Sequence, residues 1–448
     1  MKICIIGSGV SGIQTAYYFS KEEHECFVFD SKPEPGGVWQ QNYDGYALQV
    51  PSELYEFENF PFNHGQFPSG KQVLQYINKF IEKHDLYRKC TFLLNETVLS
   101  INQNDKGKWN VNTSKNNYDF DYCIICTGMY NCPNIPKELL KYDPIHSSDF
   151  VNASVSKDKR VYVVGGGKSA IDCAVAASKH TNDVTILMRE LHWPVPRYIL
   201  NIIPFKWGTY SRLGHFLLPK HWKINEKENY WHDKIQPLKT IIWKLLEKIF
   251  KFQFNLHETP SNSLQVDLFG GGQILNYDFR DRVENKSIII MKTSNTDCIN
   301  HGDMVICGTG FKKDYSIFSE NIIDKLHVES DGLWLYKNII PENVDNLAFI
   351  GSEVSTFNNI LTQSLQAQWL VKMLKDSTLP SKNIMSEYVS CEKTWKRSWM
   401  PESSSRASLI QLHMTKYHDE LYADIHNKIV KNKWWQWFIP LTAKDYTV

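Results

Sequence analysis

The pattern that most restricts the fold occurs twice: a short apolar run, a glycine-rich turn, then a helix-like stretch. In the first copy, residues 3–6 read as a buried strand, and a helix runs from Val10 to about Ser20. Gly7, Gly9 and Gly12 stand at the GxGxxG positions between and within them. The first glycine permits the tight turn, the second lets a pyrophosphate approach the backbone, and the third lets helix and strand pack closely. The first amides of that helix, around Val10 and Ser11, then face phosphate without any protein cation. The next strand-like run, ECFVF, ends in Asp30, where a carboxylate accepts hydrogen bonds from ribose hydroxyls. Pro35, Gly36, Gly37, Val38 and Trp39 follow and suit a loop that wraps a long cofactor.

The second copy is RVYVV (160–164) followed by Gly165, Gly166, Gly167, Lys168, Ser169 and Ala170. Ala170 replaces the third glycine, and Ser169 adds a hydroxyl that can reach a phosphate. Its following strand ends in Arg189 instead of an acid. Arginine pairs with a 2′-phosphate, so this copy is expected to prefer NADPH to NADH. Two further apolar strands end in Thr127-Gly128 and Thr309-Gly310, joints at which the backbone can cross between units close to a dinucleotide. They flank the second copy and mark it as an insertion within the first. Between Leu94 and Phe120 the alternation predicts a small antiparallel hairpin.

With 448 residues the chain exceeds a single core. Its Lys plus Arg (50) and Asp plus Glu (49) nearly cancel, giving no electrostatic reason to expect nucleic acid as a partner. The ten cysteines are scattered and form no disulfide framework. Cys123 and Cys126 have redox-motif spacing but lie in a strand-like run, so they read as core thiols of a reducing compartment. The first strand starts almost at residue 1, leaving no room for a signal peptide, and no apolar run approaches ~20 residues. A cytoplasmic protein is expected, with peripheral membrane contact the most that this pattern allows. The histidines show no metal spacing.

Taken together, GSGVSG (7–12), GGVW (36–39), YEFENFPF (55–62), FPSGKQVLQYINKF (67–80), CTGMYNCPNIP (126–136), VVGGGKSAID (163–172), GTGF (308–311) and NLAFIG (346–351) resemble the flavin-containing monooxygenases over nearly the whole chain. The run LHWPVP (191–196) looks closest to plant-type members. The resemblance implies an α/β, glutathione reductase-like architecture of two Rossmann-like domains. An FAD domain would take residues 1–150 and 306–448, with an NADPH domain at 151–305 inserted into it. Gly351, in NLAFIG, and Val50 are then expected near a cofactor. Gln49 falls where the family often has a flavin-side Asn and is expected to contact the flavin edge or nicotinamide. The implied activity is N,N-dimethylaniline monooxygenase-like: NADPH reduces FAD, O2 reacts, and a flavin hydroperoxide oxygenates a nucleophilic nitrogen or sulfur of a small molecule.

Departures from the family keep alternatives open. The fingerprint region is reduced to His146, Ser147 and Phe150 and lacks the Trp-Pro ending of Baeyer–Villiger monooxygenases, which lowers the ketone-oxygenating reading. The same erosion keeps alive a nucleotide-binding protein whose oxygenase chemistry has degenerated. A disulfide reductase would need a redox pair near the flavin, and none is suitably placed. Residues 190–260 are the least family-like part; within them 240–254 predicts an amphipathic helix, packed on its own domain in preference to a membrane or a substrate channel. The tail KWWQWFIPL (433–441) is too short to span a bilayer and is expected to dock on the FAD domain, with peripheral membrane contact as the lesser alternative.

Overall fold

A computed structural model describes residues 1–256, 258–270, 273–274, 277–400, 407–411, 413–430 and 433–447. β1 (Lys2–Ile6) passes through the first glycine turn into α1 (Val10–Lys21), and β2 (Glu25–Phe29) returns parallel to β1 with Ile3 opposite Cys26. A connection through α2 (Gly70–Lys83) leads to β3 (Thr91–Leu93) beside β2. The start of α2 is fixed by Ser69 and Gln72, which cap it reciprocally. Its apolar face, Val73, Ile77 and Phe80, is buried.

Residues expected as a hairpin form three antiparallel strands: β4 (Val98–Gln103), β5 (Trp109–Thr113) and β6 (Asn117–Phe120). The extra strand follows from a turn without glycine. The Thr113 hydroxyl accepts from the Lys115 and Asn116 N–H groups and reverses the chain there. β7 (Tyr122–Ile125) then pairs with β1.

The second unit begins with β8 (Ile145–His146), followed by β9 (Val161–Val164), α3 (Lys168–Ala177) and β10 (Val184–Met188). A helical excursion carries α4 (Arg212–Phe216), α5 (Glu226–Lys234) and α6 (Gln236–Gln253). β11 (Ile288–Lys292) and β12 (Met304–Cys307) complete the second sheet. Only then does β13 (Leu347–Phe349) return to pair with β7, before the closing helices α7 (Asn359–Asp376), α8 (Lys382–Trp399) and α9 (Met414–His426).

Both sheets are parallel and share one plan: β3-β2-β1-β7-β13 in the first, β11-β10-β9-β12-β8 in the second. Covered on both faces, their central strands are continuously apolar instead of alternating; Ile3, Cys4 and Ile5 are fully buried, as are Val161 and Val163. α1 and α7 pack together over one face of the first sheet. Cys126 lies in that core and Cys123 on the opposite face of the sheet, both buried free thiols, and burial pushes the Cys126 thiol up to about 12. β8 draws residues before position 150 into the second sheet through its pairing with β12.

Candidate active site

Each glycine turn is shaped by backbone from the neighbouring strand. Gly7 sits at φ 106°, and a Cβ on it would come 2.5 Å from the Cys126 carbonyl oxygen. Gly165, at φ 128°, meets the Gly308 carbonyl oxygen in the same way at 2.3 Å. Only glycine fits either place. Gly9 and Gly167 are the N-cap residues of α1 and α3, and neither helix has a side-chain cap or an acid in its first turn. Their leading N–H groups are left for an external acceptor, and the positive end of each helix favours an anion there. Both cradles therefore fit a dinucleotide pyrophosphate.

Around the first cradle, Gly37 approaches Gly9 so closely that a Cβ on it would lie 3.0 Å from the Gly9 Cα. The Gly36 N–H donates to the Ser8 carbonyl at 2.9 Å, tying the second loop to the turn. Trp39 donates its ring N–H to the Tyr55 hydroxyl, and Val38 is half-buried beside it. Val10 is buried, and the Ser11 hydroxyl points back to the Cys126 carbonyl at 3.3 Å. Gly351 reaches the same place, where a Cβ would come 2.8 Å from Ser11 Cβ. Asp30 is engaged by its own turn: one carboxylate oxygen accepts from the Ser8 N–H and hydroxyl, both at 2.7 Å, and the other from the Lys32 N–H at 2.9 Å.

The second cradle differs. Arg189 is exposed at the end of β10 and makes no ion pair with any described residue. Lys168, in the first turn of α3, donates to both Asp172 oxygens at 2.5 and 2.6 Å. Asp172 also accepts from the buried Tyr43 hydroxyl at 2.9 Å, which links the first unit to α3. Ser169 stands in the first turn of α3, half-buried, with Ala170 buried behind it.

The joints are locked by residues whose role was not read from sequence. His146 Nε2 lies 2.9 Å from the Gly310 carbonyl, an acceptor, so that nitrogen carries the proton and Nδ1 accepts from the Ser148 N–H. Burial holds its pKa below the ordinary value. The Thr309 carbonyl accepts from the Asn134 side-chain amide at 3.2 Å. A hollow of about 290 Å³ beside Thr127 and Gly128 is closed by Lys313, Tyr315 and Glu353. Lys313 donates to Glu353 at 3.0 Å, as does the Tyr315 hydroxyl, and burial raises the Glu353 pKa. His192 was noted only as part of a motif. Its ring stands 3.5 Å from the position a Cβ would take on Gly166, and Nδ1 is 2.8 Å from Asp267. That hydrogen bond raises the His192 pKa above its ordinary value.

A cavity lies where segments that follow the two cradles meet. Gln49, Val50 and Pro51 line it from the first unit, and residues 195–198 line it from the segment that follows Arg189. Gln49 is exposed to this space, whereas Val50 is buried in one cluster with Val10 and Trp39. The excursion supplies Phe205, Lys206, Thr209 and Tyr210 to the wall. Tyr198 donates to Gln66 at 2.6 Å, Lys206 pairs with Glu53, and the Arg197 guanidinium stacks over Phe67 at 3.8 Å. The predicted helix is α6, two turns of it sharing a cluster with Phe205 and Trp193.

The tail does not rest on the first unit alone. The Leu441 N–H donates to the Tyr210 carbonyl and Trp437 stacks edge-on against Phe216, both in the excursion, while Tyr446 donates to Asp419 on α9. The excursion's Arg212 holds the same Asp419 with both guanidinium nitrogens, giving the tail a second seat there.

Two parallel sheets that match in their inner strands, one interrupting the other and each feeding a phosphate-ready helix, define a two-dinucleotide oxidoreductase architecture. The sequence model of the flavin-binding monooxygenase-like family matches residues 1–433, and the chain belongs to that family. Flavin-containing monooxygenase 3 of Homo sapiens is 27% identical over an alignment of 470 positions, covering 95% of this chain and 83% of that protein. Among solved structures, S-allyl-L-cysteine S-oxygenase from Allium sativum matches with a TM-score of 0.64 at 17% identity, covering 97% of this chain and 90% of that one. Cyclohexanone monooxygenase from Rhodococcus sp. Phi1, bound to NADP+, matches with a TM-score of 0.72 at 15% identity, over 95% and 97% of the two chains.

Proposed function

We propose that this chain is an NADPH- and O2-dependent monooxygenase that oxygenates a nucleophilic nitrogen or sulfur of a small molecule, with FAD in the first cradle and NADPH in the second. The observation that carries this reading is one largely apolar cavity lined both by residues 49–51, which follow the first cradle's loop, and by residues 195–198, which follow Arg189. When bound, the flavin supplies O2 activation and the nicotinamide supplies hydride.

The chain's own residues position and shield. The α1 and α3 amides hold the pyrophosphates, Asp30 orders the first turn and takes a ribose hydroxyl on its remaining lone pair, and Arg189 takes the 2′-phosphate. Gln49 lines the cavity, where its amide would be available to hydrogen-bond a bound flavin or nicotinamide. Val50, Pro51, Phe67, Val195, Phe205 and Leu268 keep that space dry, which protects an oxygenating species from wasteful breakdown. The name of the Allium sativum neighbour, an S-allyl-L-cysteine S-oxygenase, favours a sulfur nucleophile. Ten free cysteines favour a reducing compartment.

The test supplies the flavin-loaded protein with NADPH and air and offers thioanisole, N,N-dimethylaniline or cyclohexanone. Sulfoxide or N-oxide formed in step with NADPH consumption is expected. Lactone as the only oxygenated product would move the protein to Baeyer–Villiger chemistry, and hydrogen peroxide alone would overturn the monooxygenase reading.

A further inference from the structure

The described residues 433–447 are fastened at several points, but not at their most apolar one. Leu441, Ala443 and Tyr446 are buried, and Asp445 accepts from the Thr442 N–H and from the Gln436 side-chain amide. The Lys433 N–H in turn donates to Gln436, so the segment between is a braced turn, not a loose end. Yet that turn holds its large side chains outward: Trp434 is 76% exposed and Phe438 53%, with Trp435, Trp437 and Ile439 each more than two-fifths exposed. An apolar group of this size on a constrained loop is a surface built to meet something.

The turn rests on α4, and α4 carries the same character outward. Phe216 of α4 contacts Trp437 on one side and His232 of α5 on the other, with ring centroids 6.0 and 4.4 Å apart. On α6, Leu238, Ile241, Leu245 and Phe252 recur at helical spacing and are all more than half exposed. Lys244, Lys248 and Lys251 run along one edge of that stripe and are exposed too. The opposite side of α6, with Phe250 and Lys239, packs inward. Helix α6 thus has an inward apolar side and a second, outward one flanked by cations.

Charge says what the partner is. Residues 428–447 carry Lys428, Lys431, Lys433 and Lys444 against the single acid Asp445, in a chain whose formal net charge is only +1. Tryptophan and phenylalanine beside lysine is the chemistry of a lipid headgroup layer, where the rings enter the acyl boundary and the ammonium groups stay at the phosphates. No helix among the described residues is long and apolar enough to cross a membrane, so contact is along the surface.

We propose that the braced turn 433–439 is a docking site for an anionic membrane surface. Each lysine near such a surface adds attraction that salt screens. The segment that follows the turn is tied to the cavity wall, because the Leu441 N–H donates to the carbonyl of Tyr210, which lines the cavity.

The experiment is co-sedimentation of the full chain with vesicles of phosphatidylcholine alone or with about one third phosphatidylserine. Binding to the anionic vesicles is expected, weakened at least about tenfold by Trp434→Ser with Phe438→Ser and again by Lys428→Glu with Lys433→Glu, and lost at high salt. Both pairs are exposed, and unchanged melting temperatures establish that the variants fold. Failure to sediment with anionic vesicles overturns the proposal, as does binding that ignores the Trp434 and Phe438 changes. If those changes instead convert a dimer to a monomer without any vesicle binding, the surface joins two copies of the chain and the membrane is excluded.

Discussion

The two cradles are built to one plan and solve its tightest contact in opposite ways. In the first, Gly12 is small and the residue at the end of the neighbouring strand, Cys126, is larger; a Cβ on Gly12 would fall 1.8 Å from the Gly7 carbonyl oxygen and 3.6 Å from Cys126 Cβ. In the second the sizes are exchanged. Ala170 takes the helix position, and its neighbour is Gly308, where a Cβ would come 2.4 Å from Ala170 Cβ. The polar endings are exchanged as well: Asp30 is knotted into its own turn, whereas Arg189 stands exposed. The first cradle is thus closed around backbone, and the second keeps a free cation at its rim.

The largest expected effect breaks the first cradle. Gly12→Ala drives a methyl group into a main-chain carbonyl that no side chain can vacate, and a loss of about 3 kcal/mol or more is expected. Thermal unfolding together with flavin retention reads it, and adding Cys126→Gly should restore nothing. Next, Arg189→Gln should raise the KM for NADPH about ten- to a hundredfold and leave that for NADH unchanged, the range of a charge-assisted hydrogen bond. Steady-state kinetics with both nucleotides checks it, and equal losses for the two would remove the 2′-phosphate role.

Third comes Gly308→Ala, expected to cost about 2 kcal/mol. Unlike the first cradle, it should be partly rescued by Ala170→Gly, because one contact is side chain while the Ala170 Cα and N at 2.6 and 2.9 Å remain. A double-mutant cycle with a coupling near zero would show that the size exchange is not the controlling contact. Smallest is His192→Gln. His192 has a raised folded pKa because of Asp267, so the pair's stabilisation is full below about pH 6.5 and is lost as pH rises through that raised value. The stability difference between wild type and variant, about 1 kcal/mol or less, should shrink as pH rises from below about 6.5 through the raised value. A difference that grows with pH would reverse the assignment.

What could be read from the chain was local. Strand, glycine turn and helix announce themselves within about twenty residues, and so do the acid or arginine that follow. The partners of those turns could not be read, because Cys126 and Gly308 lie more than a hundred positions from the glycines they face. The ion pair of Lys168 with Asp172, one helical turn on, was equally hidden, because Asp172 is oriented by Tyr43 from the other unit. The tail's apolar run was plain, but which of its residues face inward depends on Tyr210 and Asp419, and neither is marked by any pattern.

The late return of β13 has a consequence for how the chain is made. Every strand of the second sheet lies between residues 145 and 307, so that unit is complete once this one stretch has left the ribosome. The first sheet, begun at residue 2, waits for residues 347–349 to cover the outer edge of β7. During synthesis the earlier unit therefore carries an open, apolar strand edge while the later one matures, and that edge is where a chaperone would be needed and where a misfolded chain would aggregate.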